Sequence, residues 1–171
     1  MSEANNVKAV LEAYAALSRT GEDIEFPYIN LRGADLRGAD FSGVDFSGAN
    51  LERADLERAI FVDATLAGAN LSETNLIQAN MRGADLSGAY LISANMRGAG
   101  CKRANFAGAD LSYADLTRAY CTDTNFAGAD LSCSNLKKTQ LVGASLVGAS
   151  LVGVTQDRTN LKMANLSGAQ F

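Results

Sequence analysis

The sequence contains no histidine. That removes histidine-based catalytic triads, imidazole metal ligands and imidazole proton relays from consideration. No apolar run approaches the roughly 18 to 20 residues that a membrane-spanning helix needs. The opening stretch, MSEANNVKAV, lacks the basic start and continuous apolar core of a secretory signal, so a cytoplasmic location is expected. An excess of positive charge is missing too: 15 basic residues face 19 acidic ones, a net charge of -4. That balance gives no general footprint for direct nucleic-acid binding. The three cysteines, Cys101, Cys121 and Cys133, lack C-x-x-C spacing and signal neither zinc nor a redox motif. No catalytic group, cofactor or metal is indicated, and an enzyme is not expected.

What the sequence has is a period of five. From Phe26 to Phe171 every fifth residue is Leu, Phe, Met or Cys, with Gln156 the single polar exception. The phase never slips. No ordinary element repeats this way. Five helical residues advance about 500°, so the leucines would wander around a helix. In a straight strand an odd step places successive leucines on opposite faces.

The conflict disappears if the chain turns a corner inside every repeat. Let the central apolar residue be i. Position i-2 is usually Ala, as in Ala34, Ala39, Ala49 and Ala54, and shares the inward side with i. Position i-1 is mostly Asp or Asn, as in Asp35, Asp40, Asn50 and Asp55, and points out. Positions i+1 and i+2 form the bend. Gly33, Gly38, Gly43 and Gly48 at i+2 suit the positive φ of a type II turn. Where Arg53, Arg58 or Arg118 stands there, a turn without positive φ is expected.

The A-(D/N)-L-x-x series over residues 29 to 171 resembles the pentapeptide-repeat family. The resemblance implies an all-β solenoid: a right-handed quadrilateral parallel β-helix, four pentapeptides per coil, about seven coils over residues 26–171. The sequence NFAGADLS recurs at 105–112 and 125–132, an offset of twenty, in agreement with that coil length. Residues twenty apart then stack. Phe41 over Phe61 and Phe106 over Phe126 are expected as stacked rings, and Cys101 and Cys121 as inward neighbours in reduced form. Cys133 is expected outside. The resemblance also implies a bacterial source, with cyanobacteria among the candidates.

A solenoid must close its ends. Residues 1–25 read as a short capping α-helix and linker, with Val7, Val10, Leu11, Tyr14 and Leu17 on one face. A partner-binding amphipathic helix is the alternative. At the other end Leu161, Leu166 and Phe171 are expected to present apolar surface. Homodimerisation end to end, a frayed last coil, or further chain in the natural protein would each account for that.

Two outer strips stand out. Gly48, Gly68, Gly88, Gly108, Gly128, Gly148 and Gly168 fall on one corner, a smooth and uncharged strip. Arg97, Arg118, Lys137, Lys138 and Arg158 fall on another, diluted by Asp115 and Asp157, and could meet an acidic partner. Stacked carboxylates, Asp35 with Asp55 and Asp110 with Asp130, are expected to bond turns on a solvated wall rather than act as an acid–base pair.

The function expected is a non-enzymatic, rod-like module that presents its columns to a protein partner. The alternative comes from the family: a DNA mimic that modulates DNA gyrase or topoisomerase in the manner of quinolone-resistance proteins. The first 25 residues hold five acidic and two basic side chains, which leaves 14 and 13 for the rest, a net of -1. A DNA-shaped surface calls for a strongly negative wall.

Overall fold

A computed structural model describes residues 25–171. The expected capping helix lies outside these residues. Every described repeat has the same form, except that the Gln156 repeat bends without a hydrogen-bonded turn. The residue at i-1 makes isolated β-bridges to the coils on either side, and the four residues from i to i+3 make a turn. The bridges are all parallel and all join residues twenty apart, from Glu25 with Asp45 to Ser150 with Gln170. Bridges recur every five residues, so each twenty-residue coil carries four of them. The chain is a parallel β-solenoid. No helix occurs among the described residues, and none is long and apolar enough to cross a membrane.

Two backbone hydrogen bonds per repeat tie one coil to the next on each face. The N–H of a central residue donates nineteen residues ahead, as Leu71 to the Tyr90 carbonyl at 2.7 Å. The N–H at i-1 donates twenty-one residues back, as Asn70 to the Ala49 carbonyl at 2.9 Å. A third bond ties the corners: the i+2 N–H donates to the i+1 carbonyl of the next coil, as Gly108 to Ala127 at 2.9 Å. Most turns are closed by a local bond such as Ala109 N–H to the Phe106 carbonyl, at 3.0 Å.

The inside is filled as the period requires. Central residues from Leu31 to Leu151 and the alanines at i-2 from Ala39 to Ala149 are buried. Where Thr replaces Ala, its hydroxyl finds a carbonyl: Thr124 Oγ1 donates to Cys101 O at 2.7 Å, and Thr139 Oγ1 to Leu116 O at 2.8 Å. Ser134 is the exception. Its Oγ is buried without a hydrogen-bond partner among the described residues.

Two expectations need correction. Arg53, Arg58 and Arg118 do adopt positive φ, at 59°, 59° and 60°, as do twelve other non-glycine residues at i+2. The corner bonds explain this. With the i+2 N–H fixed on the next coil and the i carbonyl fixed on i+3, each coil that has a successor must turn in the same way, whatever side chain it carries, and the final repeats, Arg158 and Met163 among them, keep that turn. The ring pairs also differ. Phe106 and Phe126 stack at 5.1 Å and 13°, but Phe41 and Phe61 are tilted by 35° at 5.4 Å. Phe46 meets both edge-on, at 84° and 75°, and leaves them no room to lie flat.

Phe106→Ala removes one ring of the stacked pair and leaves a cavity. The expected cost is about 3–5 kcal/mol, read from urea denaturation. Ser134→Ala exchanges an unpaired buried hydroxyl for the residue most repeats hold there. It is expected to stabilise by about 1 kcal/mol in the same assay, and a loss of stability would show that the hydroxyl is satisfied in solution.

Candidate functional site

The outward positions fall into columns because residues twenty apart stack. Most i-1 residues are half-buried, and their Asp and Asn side chains are occupied by the fold. Asp45 Oδ1 accepts the Ser47 N–H at 2.7 Å, Asp110 Oδ1 accepts the Ser112 N–H at 2.9 Å, and Asp130 Oδ1 accepts the Ser132 N–H at 2.8 Å. Each is a short loop in which the carboxylate holds the turn that follows it. Asparagines extend the columns along the rod. Asn105 Nδ2 donates to Asp85 Oδ1, and Asn125 Nδ2 to Asn105 Oδ1, both at 2.9 Å.

The bridged pair Asp35 and Asp55 does not form an acid–base couple. Arg37 lies between them, donating from Nε to Asp35 Oδ1 at 2.8 Å and reaching Asp55 Oδ2 at 3.5 Å. The hydrogen bond to Asp35 and the charges of both aspartates push the Arg37 pKa further up. The arrangement neutralises charge and offers no proton to a substrate.

Other arginines are matched in the same way on the first coils. Arg32 meets Glu52 at 3.0 Å, and Arg53 meets Glu73 at 2.9 Å. The Arg53 hydrogen bond, with its charge behind it, lowers the Glu73 pKa below the usual carboxylate range. A lowered carboxylate pKa favours the folded state above the unfolded value, and that preference is lost as pH falls through the folded one.

The sequence-derived basic stripe is present on one corner. Arg97, Arg118, Lys137 and Arg158 have exposed or largely exposed positions, and Lys138 is half-buried. Backbone bonds hold the stripe in register: Gly98 N–H to Thr117 O at 3.0 Å, Arg118 N–H to Lys137 O at 3.0 Å, and Lys138 N–H to Asp157 O at 2.8 Å. Within it Arg97 reaches Asp115 Oδ2 only at 3.9 Å. Among the described residues Arg118, Lys137, Lys138 and Arg158 make no ion pair. The sequence did not reveal that the stripe is notched. Ile77, Gln78, Arg97, Gly98, Thr117 and Arg118 line a cavity of about 240 Å³. The signal was Gly98 itself, in a column where Gln78 precedes it and Arg118 follows.

The glycine corner is as smooth as expected. A side chain added at Gly68, Gly88, Gly108, Gly128 or Gly148 would meet nothing within 4 Å. At its start the Tyr28 ring covers Gly48. At the far end of the rod Leu161 and Leu166 are half-buried, and Phe171 and Gln156 are exposed. Cys101 and Cys121 are buried and Cys133 is exposed. Contact with the Cys101 thiol and burial both push the Cys121 pKa well up, so its thiol stays protonated. No group of three or more metal-ligating side chains is found among the described residues.

These features define a class: a parallel solenoid of five-residue repeats, with its core inside and its chemistry confined to outward columns. The sequence pattern of one family, pentapeptide repeats, matches in 8 copies over residues 28–62, 59–98, 84–120, 119–155 and 139–171, and the chain belongs to that family. Among solved structures, trypsin-treated QnrB1, a plasmid-mediated fluoroquinolone resistance protein, is 24% identical over 88% of this chain and 82% of its own, with a TM-score of 0.42. Rfr23 from the cyanobacterium Cyanothece 51142 is 25% identical over 90% of this chain and 91% of its own, with a TM-score of 0.44. A pentapeptide repeat protein of the Arabidopsis thaliana thylakoid lumen is 28% identical over 71% and 70% respectively, with a TM-score of 0.43. Comparison with curated proteins finds no match.

Two measurements check the site chemistry. In native buffer one thiol per chain, Cys133, is expected to react rapidly with an aromatic disulfide reagent, and all three after denaturation. Rapid native reaction of a second thiol would contradict the burial of the stacked pair. In an NMR titration the Glu73 midpoint is expected below the ordinary glutamate value, and Arg53→Gln is expected to move it up.

Proposed function

We propose that the chain is a non-enzymatic protein-interaction module: a right-handed, four-sided rod whose columns meet a protein partner. Residues 26–171 at twenty per coil make about seven coils, with residues 1–25 as cap and linker. The observation that carries the reading is the bonding between coils. Each repeat is tied to its neighbours by backbone bonds mostly of 2.6–3.1 Å, so outward side chains stand at fixed spacing on a stiff support. A surface of that kind is suited to recognition by shape and charge over several coils. Association of two copies through Leu161, Leu166 and Phe171, whose apolar surface is partly open, belongs to the same proposal. A cytoplasmic location accords with three unpaired thiols.

The reading as a DNA-shaped modulator of gyrase stands second. The outward aspartates are drawn onto turn N–H groups and arginines, which leaves no continuous negative wall to imitate phosphates. The purified protein is expected to leave gyrase supercoiling unchanged at micromolar concentration.

The module reading is tested by capture from a lysate of the source organism. A specific protein is expected on the immobilised chain, lost on charge reversal along one face while the melting temperature is unchanged. Equal capture by variants reversed on all four corners, or by none including the native chain, would remove the reading.

A further inference from the structure

The outward residues of a single coil, residues 97 to 103, are Arg97, Gly98, Gly100, Lys102 and Arg103. Two glycines thus lie between cations on adjacent corners. Gly100 stands at i-1, where the other coils of its column place Asp40, Ile60, Asn80, Tyr120, Gln140 and Asn160, and the backbone does not call for glycine there. It lacks the positive φ of the corner glycines. A side chain there would meet Asn80 Oδ1 at 3.8 Å and Ala79 O at 3.9 Å, both ordinary contacts. Gly98 does have positive φ, at 66°, but Gln78 and Arg118 take 56° and 60° in the same column. Positive φ accounts for Gly98, as for the other corner glycines, but neither strain nor crowding explains the missing side chain at Gly100. Its absence opens space.

The surroundings of that space are basic. Arg82 lies one coil before Lys102, and Arg118 one coil after Gly98, by the twenty-residue register. Among the described residues Arg82, Lys102, Arg103 and Arg118 make no ion pair, and Arg97 has Asp115 alone, at 3.9 Å. The matched arginines of the first coils, such as Arg53 with Glu73 at 2.9 Å, make the contrast. On the Arg97 corner, Arg97 and Gly98 help line the cavity of about 240 Å³. There Ile77 gives an apolar wall, and the Gln78 amide, whose oxygen accepts from Arg58 at 3.0 Å, keeps its N–H groups as donors. Tyr120, 60% exposed, is bridged directly to Gly100 from the following coil. Its ring adds an amphipathic edge of the kind found at recognition surfaces.

We infer that this face, floored by Gly98 and Gly100 and rimmed by Arg82, Arg97, Lys102, Arg103 and Arg118, binds an acidic peptide segment of the protein partner. The inference rests on the reading of the chain as a protein-interaction module. Guanidinium groups pair carboxylates with two parallel hydrogen bonds. The rim spans three coils, roughly 10 Å at the usual strand spacing, which is the reach of about three extended residues.

Fluorescence anisotropy with a labelled oligoglutamate peptide in low-salt buffer tests the inference. Saturable binding that weakens with added salt is expected. Gly100→Asn fills the depression with a residue common at i-1 and leaves the charge unchanged. It is expected to weaken binding about tenfold, as is Arg103→Glu, while Lys162→Glu, away from the rim, leaves it unchanged. Circular-dichroism melting of each variant shows whether it folds. No binding to the native chain, full affinity in a folded Gly100→Asn variant, or tighter binding of an oligonucleotide of equal charge would each overturn the inference. A partner captured from lysate equally well by Gly100→Asn and Arg103→Glu would overturn it too, with the module reading intact. Failure of the native chain to capture any protein counts against the module reading instead.

Discussion

The structure depends on the backbone bonds that join residues nineteen and twenty-one apart. A chain that turns a corner every five residues has no bonds of its own to hold it, apart from the one that closes each turn. Its remaining N–H and C=O groups must find partners in the coils on either side. Once they do, the spacing, the phase and the direction of every side chain follow. The inward row is then enclosed by the coil and must be apolar, since any unpaired polar group there costs about 1–3 kcal/mol. Ala at i-2 is small enough to share each layer with a Leu or Phe at i. Threonine is accepted at that place only with its hydroxyl on a carbonyl, as Thr124 and Thr139 show.

The same bonds govern the outside. The aspartates and asparagines at i-1 look like free polar groups in the sequence, but each holds the turn after it. Charge available for recognition is therefore less than the composition suggests. On the first coils the arginines are also engaged by carboxylates. In the coils around residue 100 only Arg97 has an acidic partner, Asp115 at 3.9 Å, and Gly100 has no conformational duty that a larger residue could not perform. Surplus charge and missing bulk meet in the same place, and the candidate face is defined by that coincidence.

The core could be read from the sequence because one side chain in five is buried and the phase is unbroken. Leu71, Leu91 and Leu111 are inside for the reason their spacing gave. Burial of Cys101 and Cys121 and exposure of Cys133 followed from phase alone. The positive φ of Arg53 and Arg118 could not be read, because local preference opposes it and only the bonds between coils impose it. The tilt of Phe41 against Phe61 was hidden for a similar reason: it is set by Phe46, a neighbour on an adjoining face. The stripe of cations was legible as a column, since register is simple arithmetic. Its notch, and the basic ground around Gly100, required attention to what was missing from a column.

The twenty-residue register has a consequence for how such a chain can change over time. Loss or gain of a single residue would rotate every later side chain out of phase, exposing leucines and burying aspartates from that point on. Only a whole coil can be added or removed silently, because the next residue then finds the same partners one storey along. The identical segments at 105–112 and 125–132 are what a copied storey would leave behind. The molecule's length is thus quantised, and its outer decoration can be revised one tile at a time while the stairwell stays the same.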